Sequence, residues 1–426
     1  MDAVTGVGKQ TPSKGEHIVV SGGGMVGLST ALLLSDGLPD SCSISVLDSS
    51  IGKSASGSYS PSFDARSTAL SYSSALVFQR LGLWEDLEPG LSAIERIHVS
   101  TRQRFGSSEL SAKEQGWKAS GWVVENHWLG QVLLSAVAKN DRIDLRFEQR
   151  VTGLRPAASG FSLQLVDREE HADLLIVADG ANSQLRGFLG IGDKRRDYQQ
   201  HALVANLAFA GQAQGIAYER FTNSGPLALL PLPPSLEEKN RLALVWSLPP
   251  SEAAELVEAS DDEFASAFIA AFGQRLGRPT RVGHRTSYPL ALVETREQVR
   301  SGCVILGNAA HSLHPVAGQG FNLSIRDADA LARHLADTDS DGASIGSLAV
   351  LIRYSHSRGD DQAQTIAASD GLPKLFMNSD PLVSLGRDLA LAGLDLFPAA
   401  RRQFVREAAG TASLEATAMS KDASHR

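Results

Sequence analysis

The sequence predicts an α/β protein: a Rossmann-type nucleotide domain, a second domain of antiparallel sheet inserted into it, and a helical C-terminal region. Three observations carry that expectation. A short apolar strand, His17 to Ser21, runs into Gly22-Gly23-Gly24-Met25-Val26-Gly27 and then into a helical pattern over Leu28 to Ser35. A series of short apolar strands, separated by Pro, Gly and charged turns, occupies residues 201–248. A second glycine-rich loop, within Gly307 to Asp327, follows the strand Cys303 to Leu306 and enters a helix at about Asn322.

The first of these reads as a dinucleotide site. The next strand, Ser43 to Leu47, ends at Asp48, which stands 21 residues after Gly27. In such a unit Gly22 allows the tight turn and Gly24 lets the backbone approach a pyrophosphate. Gly27 lets helix and strand pack closely, and the Asp48 carboxylate holds ribose hydroxyls. Asp64 to Leu70 is expected to lead into a helix with Leu76, Phe78 and Leu81 in the core. Arg66, at its entry, reads as a surface cation or as a partner for the cofactor's phosphate or ring edge. Gly121 to Asn126 leads into a helix from His127 to Ala138 that carries Gln131. Arg146 to Val151 and Phe161 to Val166 read as strands of a small antiparallel unit. Leu174 to Ala178 is a buried strand ending at Asp179-Gly180, where the carboxylate either closes a turn or binds a hydroxyl or a backbone amide.

The strands His201 to Ala210, Gly215 to Phe221, Leu227 to Leu232 and Arg241 to Leu248 read as one antiparallel sheet. Ala253 to Leu276 is helical, with a break and a cap near Ser260. The expected division is therefore a nucleotide domain over 17–186 and 284–348, an inserted domain over 187–283, and C-terminal helices over 349–410. Those helices read as a packed lid or as an amphipathic surface that touches a membrane. In the loop at 307–327, Gly318 and Gly320 leave room for a flat ligand, and the helix N-terminus suits something anionic or electron-rich. Most of the apolar residues Leu323, Ile325, Ala328, Leu331, Ala332 and Leu335 form one stripe. His311 and His314 are loop anchors or proton shuttles.

Composition bounds the rest. A length of 426 residues suits two intertwined domains, and 42% hydrophobic with 21% charged residues is ordinary for a globular chain. A net charge of −8 offers no electrostatic footprint for nucleic acid. Cys42 and Cys303, the two cysteines, lie far apart in apolar surroundings and read as buried reduced thiols. No zinc-like Cys/His spacing and no G-x-S-x-G elbow occurs. Residues 1–16 are polar and read as a disordered tail rather than a secretory signal, and 411–426 read as a second tail. With no apolar run long enough to span a bilayer, the chain is expected to be cytoplasmic, at most peripheral at the membrane.

GGGMVG at 22–27, DLLIVADGANSQLR at 173–186 and GNAAHSLHPVAGQGFNLSIRDADALA at 307–332, in that order, resemble the flavoprotein aromatic hydroxylases with the para-hydroxybenzoate hydroxylase fold. HPVAGQGFNLSIRD is similar to the motif of the ubiquinone-biosynthesis ring hydroxylases within that group. DARSTALS at 64–71, VVENHWLGQVLL at 123–134, GPLALLPL at 225–232 and LDLFPAARR at 394–402 support it. The resemblance runs from His17 to about Gly410. It implies an FAD monooxygenase in which NADH or NADPH reduces the flavin and O₂ then hydroxylates an electron-rich, polyprenylated phenol. By motif, Gly22, Gly24 and Gly27 would hold the FAD pyrophosphate and Asp48 the adenosine ribose. Arg66 and Gln131 would touch the cofactor from the side, and Asp179 and Gly180 would serve FAD and NAD(P)H. Pro315, Gly318, Gln319, Gly320 and Asn322 would line the isoalloxazine.

The motif of this group usually begins Gly-Asp, with the Asp on a ribityl hydroxyl. Asn308 keeps the hydrogen-bonding capacity and lacks the charge. The substrate is expected between the sheet of 201–248 and the flavin, its tail along Leu227 to Leu232 and the C-terminal helices. No residue is assigned as a catalytic base. A second copy, a membrane surface and other ubiquinone-biosynthesis proteins stay open as partners. Two further readings stay open: a same-fold hydroxylase of a small non-prenylated phenol, and a non-catalytic flavoprotein scaffold.

Overall fold

The structure, a computed structural model, describes residues 15–50, 66–102, 107–211, 214–235, 238–338 and 343–377. Residues 1–14 of the expected N-terminal tail, residues 378–410 of the expected C-terminal helices with the LDLFPAARR stretch, and the second tail lie outside the described residues, whereas Glu16 accepts the Ile345 N–H at 3.0 Å.

The strand His17–Ser21 places Ile18, Val19 and Val20 side by side with no exposure, so both of its faces need cover. It takes the middle of a six-stranded sheet ordered Val299–Arg300, Cys303–Ile305, Leu174–Val177, His17–Ser21, Ser43–Leu47, Ile143–Arg146. The pairing is parallel except at the Val299–Arg300 edge. Ile18 and Val20 pack with Leu28, Ala31 and Leu34 of the helix Met25–Gly37 and with Ile325, Ala328 and Leu331 of the helix Gln319–Ala336, here called the loop helix. Val19 packs on the other face with Leu175, Val177, Phe161 and Leu163. The result is a three-layer unit.

Three local expectations are corrected here. Residues 146–151 are not a strand. Ile143–Arg146 is instead the outer parallel strand, after which the chain turns with Glu148 at φ +56° so that the Gln149 N–H donates to the Asp48 carbonyl at 2.9 Å. The small antiparallel sheet is built from Gly153–Pro156, Phe161–Gln164 and Glu169–Ala172. Arg66 does not open a helix: it precedes the strand Ser67–Ser71, which pairs with Gly121–Glu125, and the helix Tyr72–Arg80 follows under a Ser71 cap. On that helix Phe78 is buried, whereas Leu76 is 39% exposed. The loop helix starts at Gln319, three residues earlier than its apolar stripe suggests.

The second sheet is wider than 187–283. Its order is His311–Ser312, Thr286–Thr295, Asp193–Ala208, Arg241–Leu248, Pro226–Leu232, Ile216–Phe221, Arg96–Thr101, Ser107–Ser111. All pairs are antiparallel except Ile216–Phe221 with Arg96–Thr101. Strand alternation gives this sheet two different faces. Leu227, Leu229, Leu244 and Trp246 pack under the helices Pro250–Glu258 and Asp261–Phe272, the latter started by a Ser260–Glu263 capping box. Ala217, Glu219, Ala228, Leu230 and Val245 point the opposite way, into a cavity.

A long helix, Leu348–Met377, crosses the loop helix. Its Arg358 Nε donates to Asp327 Oδ1 at 2.7 Å and its Gln362 Nε2 to Oδ2 at 3.0 Å, while His311 Nε2 stands 2.8 Å from the same Oδ2. Asp327 is fully buried. Burial would raise its carboxyl, but the hydrogen bonds and charges of His311 and Arg358 outweigh that and hold it below the usual value. Because the folded-state value is depressed, the linked stability is present above the unfolded carboxyl pKa and is lost as pH falls through the folded one. Asp327→Ala leaves Arg358 buried beside a lost partner and is expected to cost about 3–5 kcal/mol in urea unfolding near neutral pH; a loss below about 1 kcal/mol would contradict this placement.

Candidate active site

The glycine turn is held by close backbone contacts. Gly22 takes φ +116° and donates its N–H to the Leu47 carbonyl at 2.8 Å, and a Cβ there would run into the Ala178 carbonyl. A Cβ at Gly27 would run into the Gly22 carbonyl oxygen. The Asp48 carboxylate accepts from the Gly23 N–H at 2.6 Å and from the Ser50 N–H at 2.7 Å, bracing the turn from the next strand. Gly24 caps the helix Met25–Gly37 with no side-chain acceptor and no acid follows in the first turn. The first N–H groups of a 13-residue helix thus remain for a ligand.

In front of this turn lies a cavity of about 690 Å³, within the usual range for a small-molecule site. One wall carries Gly24, Met25, Val26, Arg66 and Gly180; another carries Asn308, His314, Pro315, Gly318, Gln319, Gly320 and Asn322. The sheet supplies Ile97, Val99, Glu219, Ala228 and Leu230, and the long helix supplies Leu372 and Leu375. Of the fourteen residues expected from the motifs to hold the cofactor, these two walls gather nine. Gly22, Gly27, Asp48, Asp179 and Gln131 do not border the cavity, and Gln131 lies exposed on the helix Asn126–Ala138.

Several loop residues hold shape. Asn322 Oδ1 accepts from the Ser71 N–H and the Ser74 hydroxyl, both at 2.8 Å, and its Nδ2 donates to the Ala69 and Gly318 carbonyls at 2.8 and 2.9 Å. That side chain therefore pins the strand Ser67–Ser71 to the start of the loop helix. His311 belongs to the Asp327 cluster. His314 borders the cavity and accepts from the Val316 N–H at 3.3 Å, with its ring edge-on to Tyr198. Burial pushes His314 down to about 4, so it is neutral at physiological pH. Tyr198 in turn donates to Asp370 at 3.0 Å. Arg66 lies 4.7 Å from the Tyr288 ring centroid. Asp179 accepts through one oxygen from the Gln184 N–H at 3.1 Å, and burial raises its carboxyl. Its other oxygen is buried with no hydrogen-bond partner among the described residues. At Gly180 and Gly320 a Cβ would meet open space, so both backbones are accessible.

Residues 16–369 match the family described as FAD binding domain. The chain is 31% identical over 418 residues to the ubiquinone hydroxylase UbiL of Rhodospirillum rubrum, covering 97% of this chain and 94% of that one. The chain belongs to the FAD-dependent hydroxylases of ubiquinone biosynthesis. The enzyme is also 29% identical over 402 residues to the 3-demethoxyubiquinol 3-hydroxylase of Escherichia coli, covering 92% and 98% of the two chains. Its fold matches that of p-nitrophenol 4-monooxygenase PnpA from Pseudomonas putida with a TM-score of 0.73 and 19% identity, covering 92% and 98%. The enzyme is a flavin-dependent aromatic monooxygenase with the para-hydroxybenzoate hydroxylase-like fold.

The residues present fit FAD: an uncapped helix start for a pyrophosphate, a turn in which a Cβ at Gly22, Gly23 or Gly27 would clash, and open backbone at Gly180 and Gly320. Sequence reasoning did not single out Glu219, Tyr198 or Tyr288. For Glu219 the signal lay in the alternation of Ile-Ala-Tyr-Glu-Arg-Phe over 216–221, which sets an acid on the same face as Ala217 and Phe221. Gly27→Ala is expected to yield protein with little or no bound flavin, read from the visible absorption of the purified protein; a normal flavin content would contradict the close-packing argument.

Proposed function

We propose that this enzyme uses NADH or NADPH and O₂ to hydroxylate the ring of a polyprenylated phenol in ubiquinone biosynthesis, with a substrate like that of 2-octaprenyl-6-methoxyphenol hydroxylase. The observation that carries the proposal is the apolar lining that the cavity has beyond the two glycine loops, with Ile94, Ile97 and Leu230 in one patch and Val99, Phe221 and Leu372 in another. A small polar phenol has no use for that apolar reach. A prenyl chain does, since each methylene buried contributes about 0.8 kcal/mol.

When bound, FAD supplies electron transfer from the nicotinamide and the activation of O₂. The chain's own residues bind, orient and shield. Gly22, Gly24 and Gly27 would hold the pyrophosphate and Asp48 the ribose. Asn308 would face the ribityl chain, with Asp179 behind the open backbone of Gly180, and the Pro315–Gly320 backbone would face the ring. The positive end of the loop helix, beginning at Gln319, favours negative charge on a reduced ring. In this reading 17–186 and 284–348 carry the cofactor, and the sheet centred on 187–283 covers the substrate. Among the described residues no helix is long and apolar enough to cross a membrane; the enzyme would take its substrate from the membrane surface by peripheral contact.

The test uses FAD-loaded protein with a geranyl-substituted 2-methoxyphenol. The phenol should stimulate nicotinamide oxidation and oxygen uptake and give a product one oxygen heavier, with the unprenylated phenol far slower. Oxygen uptake without hydroxylated product would overturn the proposal. Asn308→Asp is expected to tighten FAD binding about fivefold, the roughly 1 kcal/mol separating a neutral from a charge-assisted hydrogen bond, measured by quenching of flavin fluorescence; weaker binding would remove Asn308 from the ribityl site.

A further inference from the structure

The cavity face of the substrate-side sheet is apolar or weakly polar except at one point. Glu219 sits on Ile216–Phe221 directly between Val99 and Ala228 of the two neighbouring strands, with Ala217 and Phe221 two residues away on the same face. Farther out on this face lie Ile97, Leu230, Val245 and Ser108. One Glu219 oxygen, Oε1, is buried with no hydrogen-bond partner among the described residues. A carboxylate so placed has an unmet demand for a hydrogen-bond donor.

We infer that Glu219 is the group that receives the hydrogen bond, and then the proton, of the substrate's ring hydroxyl. The inference rests on the proposed function, since a phenol is the ligand whose donor lies on an apolar ring. In the step, the phenol O–H bond breaks and its electron pair stays on the ring oxygen. The proton bonds to a Glu219 carboxylate oxygen, and the ring becomes the stronger nucleophile. The proton returns to solvent when product leaves.

Magnitudes favour this assignment. A phenol titrates near 10 and an ordinary Glu near 4.3, so an ordinary carboxylate is a poor base for it. Burial raises Glu219 to about 7, which roughly halves the gap and brings the base close to working pH. The remaining gap means that the bound phenol stays protonated, and transfer accompanies attack. The other ionisable or charged side chains lining the cavity among the described residues are Arg66, Tyr218, whose phenol burial raises above its usual value, and His314, neutral above about pH 4.

Two variants and two probes test it, on FAD-loaded protein. Glu219→Gln should lower kcat about 100-fold on the geranyl-substituted 2-methoxyphenol with KM little changed. Wild-type kcat/KM should rise with pH through about 7, and Glu219→Gln should lack that limb. Independently of turnover, the wild type should bind this phenol about tenfold more tightly than the corresponding geranyl anisole without the hydroxyl, read from perturbation of the flavin spectrum, and Glu219→Leu should bind the two alike. Equal rates and pH profiles in wild type and Glu219→Gln, or an undiminished phenol preference in Glu219→Leu, would overturn the inference. Should a variant fail to load FAD, the wild-type profile decides: a limb near pH 7 supports Glu219, and a flat profile overturns it. Absence of hydroxylated product from the wild type counts against the proposed function instead, and the two-probe binding comparison then decides Glu219 alone.

Discussion

The Asp327 carboxylate is buried completely, and everything around the cavity leans on how it is satisfied. It sits on the loop helix and takes hydrogen bonds from Arg358 and Gln362 of the long helix, with His311 of the loop beside it. An isolated carboxylate at that depth would be strongly unfavourable. Paired on both oxygens, it joins three segments that the chain supplies at widely separated points. The long helix, so anchored, carries Leu372 and Leu375 to the cavity. The loop, so anchored, presents Pro315 to Gly320 on the facing wall.

The polarity of the cavity follows from the same economy of placement. On the glycine-loop side, the helix Met25–Gly37 begins with no side-chain cap, which leaves its first N–H groups to suit a phosphate. On the sheet side, alternation sends Leu227 and Leu229 into a separate core and leaves Ala228 and Leu230 facing inward. Against that apolar wall a single carboxylate, Glu219, is conspicuous energetically. The anion is destabilised there, and that destabilisation gives it basicity that a solvated Glu lacks.

How much of this was legible in the sequence depended on the range of the interaction. The turn at Gly22 to Gly27 was readable because a Cβ at Gly22, Gly23 or Gly27 would clash, so local chemistry demands glycine at those positions. The stripe of the loop helix was readable because Ile325, Ala328, Leu331 and Leu335 are buried in one core with Ile18 and Val20. What pairs at long range was not readable. Arg96–Thr101 enters the second sheet beside Ile216–Phe221, a parallel pairing over more than a hundred residues of chain with no turn to announce it. Ser67–Ser71 is a strand because Gly121–Glu125 lies beside it, although the residues after it look helical. Asn322, assigned by motif to the flavin, makes four hydrogen bonds within the protein. The Asp327 cluster was invisible because its members, spread from His311 to Gln362, meet only when the two helices cross.

The central claim is that one cavity seats the flavin against the glycine loops and a prenylated phenol against the sheet. The most direct measurement is a crystal structure of the FAD-loaded enzyme with geranyl-substituted 2-methoxyphenol. The account predicts the isoalloxazine along Pro315 to Gly320, the phenol hydroxyl within hydrogen-bond distance of Glu219, and the geranyl chain against Leu230, Leu372 and Leu375. A phenol ring bound outside this cavity, or a chain directed away from those leucines into solvent, would contradict it.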